Sequence, residues 1–244
     1  MAKVRRFRID SLQDKVPGAV VNLPENEASH IRVLRLEPGT EVELFDADGR
    51  SAKGALIAAK DAQVRIVSIE KTAAKKAQLI LATAWPKGKR AAVMVEKCAE
   101  LGLDVLIPIR YSRSVVSKDD EAEGLQRLRR IASEAAKQCG RNEPLQIAPE
   151  QSFQEVVTQQ APGGVKLLLD PIADEPLAQV LSAQRDILSM SDLTLFVGPE
   201  GGFSTQEIEL VDRFRIRRVT LARHVLRIET AAIAACAITG AVLR

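Results

Sequence analysis

Aromatic residues are scarce in this chain of 244 residues, which has one tryptophan, one tyrosine and six phenylalanines. A protein that binds single-stranded nucleic acid by stacking its bases needs an array of aromatic side chains. The composition therefore excludes an extended stacking platform. Because the net charge is only +3, nucleic acid would have to be bound through local clusters of lysine and arginine.

Cysteine is also rare. Cys98, Cys139 and Cys236 are far apart and lie in apolar patterns typical of helices. They have neither the even number of a disulfide framework nor the close spacing of a metal site. We therefore expect three core thiols, a reducing environment and no bound metal.

Long apolar runs are missing as well. The N-terminal stretch MAKVRRFRID lacks the apolar segment of a signal peptide. The stretch AAIAACAI, near the C-terminus, is far shorter than the roughly 20 residues that span a bilayer. These features predict a soluble, cytoplasmic protein.

The first part of the chain reads as β structure. TEVELFDADGR alternates towards a hairpin signal at Asp48-Gly49, and AQVRIVSIE alternates again. Short strands without a long helix predict a small barrel. KTAAKKAQ, residues 71–78, loses this periodicity, so we predict one domain over residues 1–72 and a second over residues 73–244.

The second part alternates between strands and helices. Apolar residues at 125, 128, 132, 135 and 139 predict an amphipathic helix that ends at Gly140. VKLLLD, LTLFVG and RRVTLA are short apolar strands, and Ser204 with Glu207 forms a capping-box signal. This alternation predicts an α/β fold, with helices on both faces of a parallel sheet.

The last segment, TAAIAACAITGAVL, is apolar on nearly every side. A surface helix has a polar face, so this one is expected either in the centre of the core or at a subunit interface. We expect a homodimer.

The stretch FVGPEGGFS, residues 196–204, concentrates three of the chain's 14 glycines. It follows a predicted strand, and ligands of parallel sheets bind beyond the carboxyl ends of strands. Glycine lets the backbone approach a ligand closely, although a tight strand-to-helix turn would use the same residues. Since GxGxxG and a P-loop lysine are both absent, a phosphate-binding enzyme is disfavoured.

Several motifs in order along the chain resemble the 16S ribosomal RNA uridine-N3 methyltransferase family of the SPOUT superfamily. They are RRFRI, ASHIRVLRLEPGTEVELFDADGR, VEKCAELGLDVLIPIRYSRSV, AAKQCGRNEP and the pair GPEGGFS and HVLRIETA. The resemblance implies a PUA-like β-barrel that binds RNA, followed by a parallel sheet with a deep trefoil knot, an exception to usual chain topology. It also implies S-adenosyl-L-methionine as cofactor and 16S rRNA of the small ribosomal subunit as substrate.

The resemblance assigns cofactor contacts to three loops, largely through their backbone groups. These cofactor-binding residues are Leu169, Asp170, Phe196, Val197, Gly198, Pro199, Glu200, Gly201, Gly202, Leu221, Ala222, Val225, Leu226 and Arg227. The sequence departs from the family's usual residues at Ala222, His224, Ile228 and Lys137. Since the family commonly has glutamate at Lys137, that position is not expected to supply an essential base.

The implied reaction requires uracil N3 to lose a proton. A cation near the uracil oxygens would stabilise the anion, and the candidates are Arg113, Arg141 and Arg227. A carboxylate could accept the proton, and Glu200 and Glu229 lie in the ligand loops; transfer to solvent remains an alternative. Structural roles are also open, because Glu229 could satisfy first-turn amides and Arg227 could form an ion pair.

Clusters of basic residues predict the RNA surface, because phosphate contacts dominate affinity for RNA. The candidates are Arg5, Arg6, His30, Arg32, Arg35, Arg113 and Arg141. Such charges also occur on ordinary solvated surfaces.

Two other functions remain open. Related knotted enzymes methylate a ribose 2′-hydroxyl, and an RNA-binding assembly factor could keep the fold without catalysis. The intact GPEGG stretch, and the intact residues LR and ETA on either side of Ile228, favour an active enzyme.

Overall fold

The computed structural model describes residues 4–46, 50–70, 77–113, 121–141, 143–159 and 164–243. The chain divides into two units, the first formed by Met1–Ala74 with Ala136–Glu143 and the second by Lys75–Ala135 with Pro144–Arg244. The hairpin turn predicted at Asp48-Gly49 and the domain boundary predicted after residue 72 lie outside the described residues.

A five-stranded mixed sheet forms the first unit. Its elements are β1 (Arg5–Arg8), β2 (Val20–Asn22), α1 (Glu25–Val33), β3 (Glu41–Phe45), β4 (Ser51–Ala58) and β5 (Gln63–Glu70). The strand order is β1-β3-β4-β5-β2; β1 is parallel to β3 and the other pairs are antiparallel. The two alternating sequence segments thus form β3 and β5, while α1 was not predicted.

Buried charges accompany the apolar core of this unit. Asp46 is fully buried and accepts hydrogen bonds from the backbone N–H groups of Leu12 and Arg50, at 2.8 and 2.9 Å. Glu27 in α1 is also fully buried, and its Oε1 pairs with Lys137 Nζ. A buried charge is tolerated only when it is paired, so Lys137, one of the departures from the family pattern, has a structural partner.

A parallel sheet with surrounding helices forms the second unit. Its elements are β6 (Leu79–Thr83), α2 (Arg90–Glu100), β7 (Val105–Arg110), α3 (Glu121–Cys139), β8 (Gln146–Ile147), β9 (Gln151–Ser152), α4 (Phe153–Thr158), β10 (Val165–Leu169), α5 (Leu177–Ala183), α6 (Arg185–Leu188), β11 (Leu193–Val197), α7 (Thr205–Arg213), β12 (Arg217–Val219) and α8 (Ile228–Leu243). The last residues of α3 belong to the first unit. The strand order is β12-β10-β11-β6-β7-β8, β9 also pairs with β7, and every pair is parallel.

Burial on both faces explains the apolar strands at the centre of this sheet. Every residue of β11 is buried, as expected when helices cover both sides of a parallel sheet. The helices pack in two groups, α2, α5 and α6 against α8, and α4 against α7. The predicted α/β architecture is therefore observed.

Capping boxes begin two of the helices. In α7, Ser204 Oγ accepts from Glu207 N while Glu207 Oε2 accepts from Ser204 N, as the sequence predicts. The same arrangement joins Ser152 and Glu155 at α4, where the serine and glutamate have the same spacing but were not recognised.

Two of the three cysteines lie in the core. Cys98 and Cys236 are buried as expected, but the prediction for Cys139 was wrong: it is exposed because it is the last residue of α3. In the described residues, no helix is long and apolar enough to cross a membrane, and no group of three metal-ligating side chains is found.

Candidate functional site

A cavity of about 740 Å³ lies beyond the carboxyl ends of β10, β11 and β12. The loops that follow these strands supply most of its wall, and further residues come from the strands themselves and from α7 and α8. Its lining residues are Leu169, Asp170, Pro171, Ile172, Val197, Gly198, Pro199, Glu200, Gly201, Gly202, Phe203, Ser204, Thr205, Ile208, Arg218, Thr220, Leu221, Ala222, His224, Val225, Leu226, Ile228 and Ala231. This is the edge of a parallel sheet where ligands are expected to bind.

The glycines of the loop after β11 have different local roles. A Cβ on Gly198 would lie 2.7 Å from the Phe203 ring, and a Cβ on Gly201 would lie 3.2 Å from Arg113 Cβ. Gly202 has a φ of +69°, in the left-handed region that favours glycine. We therefore attribute the glycine cluster first to packing and turn geometry within the protein.

Asp170 is the most buried carboxylate of the cavity wall. It is 7% exposed, its Oδ1 accepts from Ile172 N at 3.1 Å, and its Oδ2 lies 3.6 Å from Arg218 Nη1. These partners hold the loop after β10 and place a carboxylate at the cavity wall.

A hydrogen-bonded bridge joins the loop after β7 to α7 and to the loop that precedes α7. Glu207 Oε1 accepts from the Ser112 backbone N–H at 2.9 Å and from its hydroxyl at 3.2 Å. The neighbouring Arg113 donates from Nη1 to the Gly201 carbonyl oxygen at 3.1 Å. Burial, and then the Glu207 carboxylate, raise the pKa of Tyr111 well above its ordinary value.

Most residues that the resemblance assigned to the cofactor line this cavity; Phe196 and Arg227 do not. Phe196 is fully buried in β11, and its ring lies 5.4 Å from the Phe153 ring, so it is a core residue. Arg227 is exposed just before α8, where its carbonyl oxygen accepts from Ala231 N.

Sequence reasoning missed several lining residues, some inside the quoted motifs and some beside them. They are Pro171, Ile172, Phe203, Ser204, Thr205, Ile208, Arg218, Thr220, His224, Ile228 and Ala231. Helical periodicity could have found Ile208, one turn after Ser204. His224, one of the departures from the family's usual residues, is exposed at the cavity wall.

The two candidate carboxylates have different surroundings. Glu200 is exposed and lines the cavity. Glu229 is not among the lining residues; its Oε1 lies 3.8 Å from Arg90 Nη1, and its buried Oε2 has no hydrogen-bond partner in the described residues. Arg141, the remaining catalytic candidate, belongs to the first unit.

The residues predicted to bind RNA also differ in how far their side chains are exposed and unpaired. Arg5, His30 and Arg35 are exposed. The side chain of Arg6 is only 8% exposed, because it pairs with Glu43 and lies over the Phe45 ring. Arg32 is exposed but pairs with Glu25. Arg6 thus has little surface for a phosphate contact.

Family comparisons match both units. Residues 73–240 match the RNA methyltransferase domain family, and residues 23–67 match the RNA methyltransferase PUA domain. The ribosomal RNA small subunit methyltransferase E of Bacillus subtilis (strain 168) is 28% identical over 238 residues, 93% of each chain. The enzyme of the same name from Rickettsia conorii is 30% identical over 212 residues, 84% of this chain and 82% of that protein.

Solved structures match nearly the whole chain. The ribosomal RNA small subunit methyltransferase E of Neisseria gonorrhoeae, bound to S-adenosyl methionine, has a TM-score of 0.81 at 26% identity, covering 96% of this chain and 95% of that one. A putative methyltransferase from Legionella pneumophila, in complex with the bound cofactor SAM, has a TM-score of 0.80 at 30% identity, covering 98% of both. The resemblance in the sequence is therefore confirmed, and the chain belongs to the family of RNA methyltransferases that includes ribosomal RNA small subunit methyltransferase E.

Proposed function

We propose that this protein transfers a methyl group from S-adenosyl-L-methionine to N3 of a uridine in the 16S rRNA of the small ribosomal subunit, in the cytoplasm. The observation that carries the proposal is the cavity at the carboxyl ends of β10, β11 and β12. Relatives of the same fold bind S-adenosyl methionine. The names of the relatives support a small-subunit rRNA substrate.

The cavity suits a cofactor of this size and chemistry. Ligand sites commonly measure 300–1,000 Å³ and combine apolar walls with a few polar groups. Here Leu169, Val197 and Leu226 supply apolar surface, and Asp170 supplies a buried charge. We infer that the loops after β10, β11 and β12 hold the cofactor and belong to a knotted stretch of backbone.

The protein's own part of the reaction is to deprotonate the base and stabilise the anion. When bound, the cofactor supplies a methyl group already activated on a sulfonium. We assign proton acceptance to Glu200, which lines the cavity, rather than to Glu229, which faces Arg90. Arg113, held beside Gly201, would meet the uracil oxygens, with Arg227 and Arg141 as further candidates. No step requires a metal.

The first unit would hold the rRNA. Its PUA-domain match and the exposed cations Arg5 and Arg35 support this role. Arg6 and Arg32 contribute less in this proposal, because each is paired with a carboxylate.

A homodimer completes the proposal. The buried side of α8 includes Ala232, Ala235 and Cys236, whereas its exposed positions Thr230, Ala237 and Ala241 are also small and weakly polar. A helix without a charged outer face is suited to pack against a second copy.

The proposed reaction can be tested on small ribosomal subunits from a strain that lacks this gene. The subunits would be incubated with the purified protein and isotopically labelled S-adenosyl-L-methionine, and the labelled nucleoside identified by mass spectrometry. We expect label in N3-methyluridine. Label in a 2′-O-methyl nucleoside would overturn the base chemistry, and no label without cofactor binding would favour a non-catalytic RNA-binding protein.

A further inference from the structure

Glu207 does more than cap a helix. A capping box uses the glutamate to accept from the backbone N–H of the capping residue, and Glu207 Oε2 does this with Ser204 N at 2.7 Å. Its other oxygen accepts two hydrogen bonds from Ser112, a residue 95 positions earlier. Glu207 is only 5% exposed, so its carboxylate joins two loops from inside the protein.

Arg113, the residue after Ser112, connects this bridge to the cavity. Because Ser112 is bonded through its backbone N–H, the position of the following residue is also restricted. The Arg113 guanidinium bonds to the Gly201 carbonyl oxygen, and its Cβ packs where a Gly201 side chain would begin. Gly201 lines the cavity, so this contact sets Arg113 beside the site.

The site leaves Arg113 able to bind a ligand. A guanidinium has five N–H donors. The structure shows one of them bonded to Gly201, and Arg113 makes no ion pair with the described part of the chain. The remaining donors suit a carbonyl oxygen of a base.

A carboxylate is required at position 207 because every group that bonds to this side chain donates a hydrogen bond. The Ser204 N–H points to one oxygen, and the Ser112 N–H and hydroxyl point to the other. A glutamine amide offers an acceptor at one end only, so its NH₂ group would face a donor at the other end. Glutamine would therefore break one of the two links that glutamate makes.

We propose that Glu207 is a positioning residue for methyl transfer: through Ser112 it holds Arg113 against Gly201, from where the Arg113 guanidinium meets the substrate base. This inference rests on the proposed function for the part that concerns the substrate. The bridge itself can be tested without the reaction.

A double-mutant cycle tests whether Glu207 acts through Arg113. We expect Glu207→Gln and Arg113→Met each to lower kcat/KM on small ribosomal subunits about tenfold, which corresponds to about 1.4 kcal/mol. The double variant should be no worse than the poorer single variant, because coupled residues are not additive. Losses that multiply to about a hundredfold would overturn the proposal.

Glu155→Gln is the matched control. It removes the carboxylate of the other capping box, whose hydrogen bonds are to Ser152. We expect kcat/KM within about twofold of the parent protein. An equal loss in both glutamine variants would mean general destabilisation and would contradict a positioning role.

If Glu207→Gln folds poorly, Ser112→Ala keeps the backbone N–H and removes only the hydroxyl contact. It should lower kcat/KM by about threefold, and only when Arg113 is present.

Hydrogen exchange supplies a readout that does not depend on activity. The Ser112 amide should exchange slowly in the parent protein and in Glu155→Ala, but at least about tenfold faster in Glu207→Ala, which removes both acceptor oxygens. Unchanged protection in Glu207→Ala would refute the bridge. If the parent protein transfers no methyl group while this difference is observed, the proposed function fails and the Glu207–Ser112 link stands.

Discussion

Gly198 lies so close to the Phe203 ring that any side chain there would require the ring to move. Its Cβ would lie 2.7 Å from Phe203 Cζ, and the ring is held by Tyr111 and Phe153 at centroid distances of 5.6 and 6.0 Å. We expect Gly198→Ala to displace the ring, to lower the free energy of unfolding by about 1–3 kcal/mol and to weaken cofactor binding. Thermal unfolding and calorimetric titration with S-adenosyl-L-methionine would measure both effects.

Gly124→Ala is the control for this substitution. Gly124 lies in α3, is exposed, and a Cβ there would meet nothing within 4 Å. Alanine should stabilise the helix by about 0.5–1 kcal/mol without changing cofactor affinity. Equal affinities in Gly198→Ala and the parent protein would contradict the role of this contact in shaping the cavity.

The local role of each glycine could not be predicted from the sequence. The motif predicts a turn after a strand, which is observed, and it suggests that the backbone approaches a ligand. The contacts of Gly198 with Phe203 and of Gly201 with Arg113 depend on side chains placed by the complete fold. Arg113 is 88 positions from Gly201 in the chain, so no local pattern reveals their contact.

Tyr111 gives a pH-dependent prediction. Its pKa is raised well above 10.0, first by burial and then by the Glu207 carboxylate. Below about pH 10 the hydroxyl is protonated in both states, so its contribution to stability is constant. As pH rises above 10, the unfolded chain loses this proton first, and the folded state should lose stability.

The chain's single tyrosine makes this measurable. The absorbance of tyrosinate should rise only as the protein unfolds, and circular dichroism would monitor the unfolding. The variant Tyr111→Phe should show a smaller loss of stability above about pH 10. Ionisation near pH 10 in the folded protein would disprove the effect of burial.

At the scale of elements, periodicity predicted the long helices and the apolar strands, but not the details of β11. Because this strand is buried on both faces, no alternation distinguishes a core residue such as Phe196 from a cavity residue such as Val197. Helix α1 was missed because its nine residues are largely polar, with Ala28 and Ile31 as the buried apolar positions. Its place is determined by packing in the first unit.

The outer face of α8 tests the proposed homodimer. Ala237 is exposed on this helix. We expect the parent protein, whose chain has a mass of 26.6 kDa, to sediment as a dimer. A charge buried at an interface without a partner is strongly unfavourable, so Ala237→Glu should sediment as a monomer.

Gln206→Glu is the control for this variant. It introduces the same charge at an exposed position of α7, near the helix N-terminus, where an acidic residue is favourable. This variant should remain dimeric. A dimer that persists in Ala237→Glu would exclude this face of α8 from the interface.

For the whole molecule, we expect the first unit to contribute salt-dependent affinity for rRNA without affecting cofactor binding. Arg5 and Arg35 are exposed cations of this unit. Each phosphate contact contributes about 0.7 to the slope of log K against log salt for a single strand. The double variant Arg5→Gln, Arg35→Gln should therefore reduce this slope by about 1.4, while calorimetric affinity for S-adenosyl-L-methionine stays unchanged.

The variant Lys15→Gln tests whether rRNA binds at a defined surface of the first unit or is attracted by its overall positive charge. Lys15 is exposed in the same unit but lies past the other end of β1, and its removal should leave the slope unchanged. If all three cations lowered the slope equally, rRNA would be attracted by net charge and not bound at the proposed surface. If none did, Arg5 and Arg35 would not contact rRNA, and the proposed surface of the first unit would be wrong at these two positions.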